Sequence, residues 1–188
     1  NVAYVGLNNP IAVMAEGYKC DQIEVSTNNG TITKSEGSCN YNFIPKFKGI
    51  ATIFVRQVGS KMYLDSSLFR SELVPNPIVE IESSYYEYNK NEGDGKFHRK
   101  YPPLGIFYSL KQFHHDVRFI GQKYSVRISR NGKVIFEKAN IKGQFFSEIQ
   151  EGLKKIQDGD KILFYDITVM GPENLDRELP PVELTIAE

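Results

Sequence analysis

The sequence predicts a mainly β protein: two consecutive sandwich-type β domains, the second with one short α-helix over about residues 147–157. Three observations point there. Short β-prone stretches recur roughly every eight to twelve residues through 1–74, with no convincing helical period. Asn-Gly pairs, the strongest short hairpin signal, stand at Asn29-Gly30 and Asn131-Gly132 between such stretches. Val74-Pro75-Asn76-Pro77 cannot continue a helix or a central strand, so it reads as a stiff linker at 75–77 between domains 1–74 and 78–188.

In the first half, Val2 to Leu7 is a β-prone run that stops at Asn8-Asn9-Pro10, because proline biases its predecessor away from helix. Ile11 to Met14 resumes until Gly17. Ile23–Thr27 and Thr31–Thr33 flank Asn28-Asn29-Gly30 as a predicted hairpin. Tyr41–Ile44 leads into Pro45, Ile50–Val55 reads as a buried strand, and Lys61–Asp65 and Ser67–Arg70 close the set.

The second half opens with Ile78–Ile81. Asn89 to Gly95 is a polar loop tip, and Leu104–Tyr108 and Val117–Ile120 are apolar. Tyr124 to Ser129 alternates with period two, as a strand with one wet face does, and Asn131-Gly132 turns it back into Val134–Glu137. Ser147 and Gln150 fit a capping box, Ile149, Leu153 and Ile156 share one helical face, and Gly159 suits a left-handed cap. Lys161–Tyr165, Ile167–Val169 and the cleanly alternating Val182–Ile186 return to strand.

Lys plus Arg total 23 and Asp plus Glu total 23, so the net charge is zero. That balance argues against nucleic-acid binding and against a polybasic membrane-surface segment. No apolar run approaches the roughly 18 residues of a membrane span. The first residue is Asn1, as in a processed chain, so a leader or anchor would leave no trace in this sequence. Cys20 and Cys39 pair in an exported protein, where a loop of that size is worth about 3 kcal/mol. In a cytosolic one they are separate buried thiols. Both readings stand on two cysteines alone, with the pair preferred.

Catalytic machinery is not visible. His114 and His115 are adjacent, so on a strand they face opposite ways, and with His98 they form no metal motif. The loop from Asn89 to Gly95 lacks the order of a calcium loop, and there is no phosphate-binding loop, dinucleotide fingerprint or nucleophile elbow. We therefore expect no catalytic residue, no metal and no cofactor. Lys96-Phe97-His98-Arg99-Lys100-Tyr101 is the densest basic-aromatic cluster, read as a strand edge guarded by lysine. Tyr85, Tyr86, Tyr88 and Tyr101 are candidate partner-binding aromatics, although tyrosine is equally ordinary in strands.

Several segments resemble a known family. Phe145-Phe146-Ser147, the run from Gly159 to Ile167, Gly171-Pro172 and Arg177-Glu178-Leu179-Pro180-Pro181 stand in the order seen in the C-terminal domain of the gliding-motility GldM and PorM family. Leu110 to Phe113 is similar to that family's Leu-x-Asn-Phe segment. Asn1 to Pro10 resembles the start of the preceding domain, and Phe69 to Pro77 its inter-domain junction. The chain departs from the family at Glu173-Asn174, where Asp-Gly is usual, and at 111–116, which lacks the Asp-rich version.

The resemblance implies two immunoglobulin-like domains of a Bacteroidetes periplasmic protein that forms elongated homodimers in gliding motility and type IX secretion. On that basis the expected role is a non-catalytic interaction module with cell-envelope protein partners, anchored, if at all, through a segment outside this chain. The competing expectation is a carbohydrate- or surface-ligand-binding module built on exposed tyrosines. An enzyme using a carboxylate pair comes third, since acidic residues are plentiful but none is singled out.

Overall fold

The computed structural model describes residues 1–36, 39–83, 96–99 and 103–187. It is mainly β, as the sequence predicts, with one short helical segment. Packing divides it into two compact units, Asn1–Val74 with Pro172–Asn174, and Pro75–Gly171 with Leu175–Glu188.

The first unit holds β1 (Val2–Tyr4), β2 (Asn9–Ala12), β3 (Ile23–Thr27), β4 (Thr31–Lys34), β5 (Asn40–Ile44), β6 (Gly49–Gln57) and β7 (Tyr63–Glu72). One sheet runs β1-β7-β6-β3 and the other β2-β5-β4. Alternation builds the core between them. Ala51, Ile53 and Val55 of β6 point inward and are buried. Ala3 and Phe43 join them, with Ile11, Val25, Ile32 and Phe69 packed around.

Two asparagines pin the connections of this unit. The Asn9 side chain accepts from Tyr4 N–H at 2.8 Å and donates to the carbonyls of Tyr4, Leu7 and Phe43 at 3.0, 2.8 and 3.1 Å. The Asn9-Pro10 pair therefore opens a strand instead of ending one. Pro10 is tolerated because β2 is an edge strand, where a missing N–H breaks no inner ladder.

Asn29-Gly30 makes no hairpin. β3 pairs with β6 and β4 with β5, so the chain changes sheets there. The reason is the Asn29 side chain, which donates to Phe47 O at 2.8 Å and accepts from Lys46 and Phe47 N–H at 3.0 Å each. Further along, the two strands predicted across 61–70 form the single strand β7. Cys20 and Cys39 are joined by a disulfide, with their Cα atoms 5.1 Å apart.

The second unit holds β8 (Ile78–Ser83), β9 (Lys96–His98), β10 (Pro103–Ser109), β11 (Ile120–Arg130), β12 (Lys133–Lys142), β13 (Lys161–Met170), β14 (Asp176–Leu179) and β15 (Val182–Ala187). Its large sheet runs β12-β11-β13-β15-β9, with β14 also on β13; β10 and β8 form a separate pair. β13 changes partner at Tyr165-Asp166, because Pro180-Pro181 opposite has no N–H to pair with. An aromatic stack fills the core. Phe146 lies 5.2 Å from Phe164 in a stacked pair, and the buried Tyr124 donates its hydroxyl to Phe145 O at 3.0 Å.

The helix is shorter than predicted. A 3-10 turn over Phe146–Ile149 runs into α1 (Gln150–Leu153) and stops. No capping box forms; Gln150 Nε2 donates to Phe146 O instead. The stop has a physical cause. Arg130 takes the Lys155 carbonyl at 2.9 Å, and Asp160 takes the Gln157 N–H at 2.8 Å. A continuing helix would need both groups for its own ladder.

Candidate functional site

One opening of the first unit is a groove of about 400 Å³ between β2 and the sheet of β6 and β7. Pro10 to Met14 form one rim, Ile53 and Val55 line it from β6, and Asp65, Ser67 and Phe69 face it from β7. Strand order explains why it is open. β1 covers β7 only opposite Arg70–Glu72, in parallel, with Arg70 N–H donating to Asn1 O at 3.0 Å. Even-numbered backbone groups of β7 therefore turn away from β6, and those of Ser66 and Leu68 meet no strand on that side among the described residues. The Asp65 carboxylate takes up the Ser66 N–H at 2.7 Å.

The outer face of the same sheet is partly apolar. Ile50 and Leu68 are 62% and 64% exposed on it, and Phe54 packs its ring 5.1 Å from Tyr63. On β3 and β6, Arg56 holds Glu24 through two hydrogen bonds at 3.1 and 3.0 Å, and this lowers the Glu24 carboxyl.

In the second unit the outer face of the large sheet carries a cross-strand polar network. Arg127 of β11 donates to Glu137 of β12 at 2.8 Å, Tyr165 of β13 donates to the same carboxylate oxygen at 2.7 Å, and the guanidinium sits 5.4 Å from the Tyr165 ring centre. Hydrogen bonds from Tyr165 and then Arg127 hold Glu137 below the usual carboxylate range, and the same carboxylate raises Tyr165 and Arg127. At the C-terminal end of β11, the half-exposed Arg130 grips the buried Asp160 at 2.9 and 2.8 Å, which keeps the Asp160 carboxyl low. Burial pushes Tyr108 up to about 12 and raises Tyr124 further.

These shifts run in one direction chemically. Carboxylates move down while tyrosines and arginines move up, so each of these groups is driven away from neutral pH. General acid–base catalysis requires the reverse. Among the described residues, no group of three or more His, Cys, Asp and Glu is placed to hold a metal.

Of the residues singled out from the sequence, Cys20 and Cys39 come together as a bridge. Tyr85, Tyr86, Tyr88 and Tyr101 lie outside the described residues, as does the loop from Asn89 to Gly95. His114 and His115 sit in an irregular stretch, not a strand, with the His115 ring 5.3 Å from Phe113. Lys96 and Phe97 belong to β9, an edge strand; Phe97 is buried against Phe146 while Lys96 is exposed.

Sequence reasoning missed Asp65 and Ser67, because an open strand edge depends on strand order and not on local pattern. It also missed the Arg127–Glu137–Tyr165 network, although the alternation from Tyr124 to Ser129 does place Arg127 on the wet face. A comparison with curated proteins gives no match. The family model described as the GldM C-terminal domain matches residues 75–187.

Proposed function

The chain belongs to the GldM C-terminal domain family, and on that premise we propose that it is a non-catalytic docking module of a cell-envelope assembly, of the gliding-motility and type IX secretion type. The observation that carries this reading is the family match across 75–187. Two sets of facts support it. The shifted acids and bases are held in permanent charge states by ion pairs and burial, which suits a fixed surface better than proton transfer. The outer face of the β1-β7-β6-β3 sheet offers exposed apolar side chains and, on the same sheet, the Arg56–Glu24 charge pair, a composition suited to a protein-binding patch.

In this reading the module works in the periplasm as part of a homodimer, and the Pro-Asn-Pro segment at 75–77 joins two domains that fold separately. The Cys20–Cys39 bridge suits an oxidising compartment. None of the described helices is long and apolar enough to cross a membrane, so attachment in this proposal comes from partners or from sequence outside this chain.

The test is cross-linking in intact cells that express the chain with a photoreactive residue at Leu68 or at Thr185. Partners are then identified by mass spectrometry. Cross-links to envelope proteins of the motility or secretion machinery are expected from at least one site. Cross-links confined to cytosolic proteins, or none above an unsubstituted control, would sink the proposal.

A further inference from the structure

We infer that the open edge of β7 is a receptor for an extended strand of a partner protein carrying a basic residue. The inference deepens the docking reading above, and rests on it for the partner being a protein. Ser66 and Leu68 present backbone N–H and C=O groups away from β6, and among the described residues no strand pairs with them there. β1 already shows the mode of addition, since it joins β7 in parallel a few residues further on through the Arg70 N–H. An incoming strand would extend that line.

The side chains around the edge define what kind of strand fits. Its inward positions would enter the groove lined by Ile11, Val55 and Phe69, where apolar side chains find a wall. One of them would meet Asp65, whose carboxylate faces the groove and, among the described residues, takes up the Ser66 N–H alone. An inward-facing charge on an edge strand repels generic apolar strands, so it also sets specificity for a Lys or Arg on the partner. A second copy pairing by the same edge would bring two Asp65 carboxylates to one groove, which disfavours it as the occupant.

The test selects a phage-displayed library of random decapeptides on the immobilised full chain, then titrates the enriched peptides by calorimetry. Enriched peptides should alternate apolar and polar positions and carry Lys or Arg, and they should slow amide exchange at Ser66 and Leu68. Ser66→Pro should weaken them by about tenfold or more, because its ring blocks the edge and removes an N–H that β6 does not use and that an incoming strand would take over from the Asp65 carboxylate. Asp65→Lys should weaken basic peptides by about fivefold or more, relative to acidic or neutral ones, although it frees the Ser66 N–H of the edge. Should Ser66→Pro fail to fold, Asp65→Lys decides alone.

The inference is overturned by an absence of enriched peptides or by equal binding to wild type and both variants. It is overturned equally if the Leu68 amide is protected before peptide is added, since the edge is then filled from within the chain or by a second copy. Any of these results leaves the envelope cross-linking test standing. Loss of the envelope cross-links with peptide binding intact would remove the docking reading instead.

Discussion

At Asn131-Gly132 both residues stand at positive φ, 48° and 78°, and β11 turns straight back as β12; at Asn29-Gly30 only the glycine does, at 87°, and the chain crosses from one sheet to the other. The same dipeptide thus serves two purposes. A two-residue hairpin of the favoured type needs the left-handed region at both positions. Asn131 meets that need with its backbone. Asn29 spends its side chain on Lys46 and Phe47 and keeps its backbone elsewhere. An Asn-Gly pair is therefore a statement about one glycine φ, and tertiary contacts to the asparagine decide whether the strands reunite.

The largest expected effect separates the two glycines. A Cβ at Gly30 would overlap the Ile44 carbonyl oxygen, whereas one at Gly132 meets nothing within 4 Å. Gly132→Ala should cost about 1 kcal/mol, the strain of a side chain in the left-handed region. Gly30→Ala adds a backbone clash to that strain and should cost about 3 kcal/mol or more. Urea unfolding followed by tyrosine fluorescence reads both, since the chain has no Trp. Equal losses at the two sites would erase the distinction.

The asparagines come next in size. Asn29→Ala removes one donor and one twice-used acceptor from a buried side chain, and should cost about 2–3 kcal/mol. Asn131→Ala loses no hydrogen bond of that kind and should cost about 1 kcal/mol or less, through its positive φ alone. A loss at Asn131 as large as that at Asn29 would mean that the hairpin, and not the crossover, is the weaker joint.

Beyond the second turn, the Arg130–Asp160 pair locks the end of β11 to the segment after α1. The folded Asp160 carboxyl titrates below its unfolded value, chiefly through the Arg130 hydrogen bonds. Its contribution to stability is therefore fully present above the unfolded pKa of about 4 and is lost as pH falls through the lower folded pKa. Asp160→Asn should cost about 2 kcal/mol at pH 7, with the difference from wild type shrinking below about pH 4. A gap between the two proteins that stays constant from pH 7 down to pH 2 would rule out the charge as its source.

This lock also shows what could be read in advance. Period-two alternation marked the strands around 124–129 and 182–186, because one wet face and one buried face leave a direct imprint on composition, although Ser125 of the predicted wet face is buried where β11 bulges. The apolar set Ile149, Leu153 and Ile156 was visible for the same reason, and all three are buried, although Ile156 lies beyond the end of α1. The helix end was not, because the residue that terminates it, Arg130, lies 30 positions from its partner Asp160. The crossover at Asn29 was hidden likewise, its partners lying 17 and 18 positions away. Of the candidate docking edge nothing was visible. Asp65 and Ser67 are ordinary polar residues in a strand, and only the order β1-β7-β6-β3 with its short first member leaves that edge open.

The smallest expected effect lies on the outer face of the second unit and tests whether ordered charge there stabilises the fold or serves only recognition. Arg127, Glu137 and Tyr165 bridge three strands, yet both ionic members are substantially exposed, with side chains 44% and 40% accessible. Solvent screening at such a site leaves little net stability from an ion pair. Glu137→Gln should therefore move the unfolding midpoint only marginally, and raising salt should bring the two proteins together. The Tyr165 hydroxyl offers a separate readout. Its pKa is raised mainly by the hydrogen bond to Glu137, so the variant should ionise at lower pH in an ultraviolet titration. A phenol that titrates unchanged in Glu137→Gln would mean the three side chains are not held together in solution, and the face would then be a set of independent charges instead of a fixed platform.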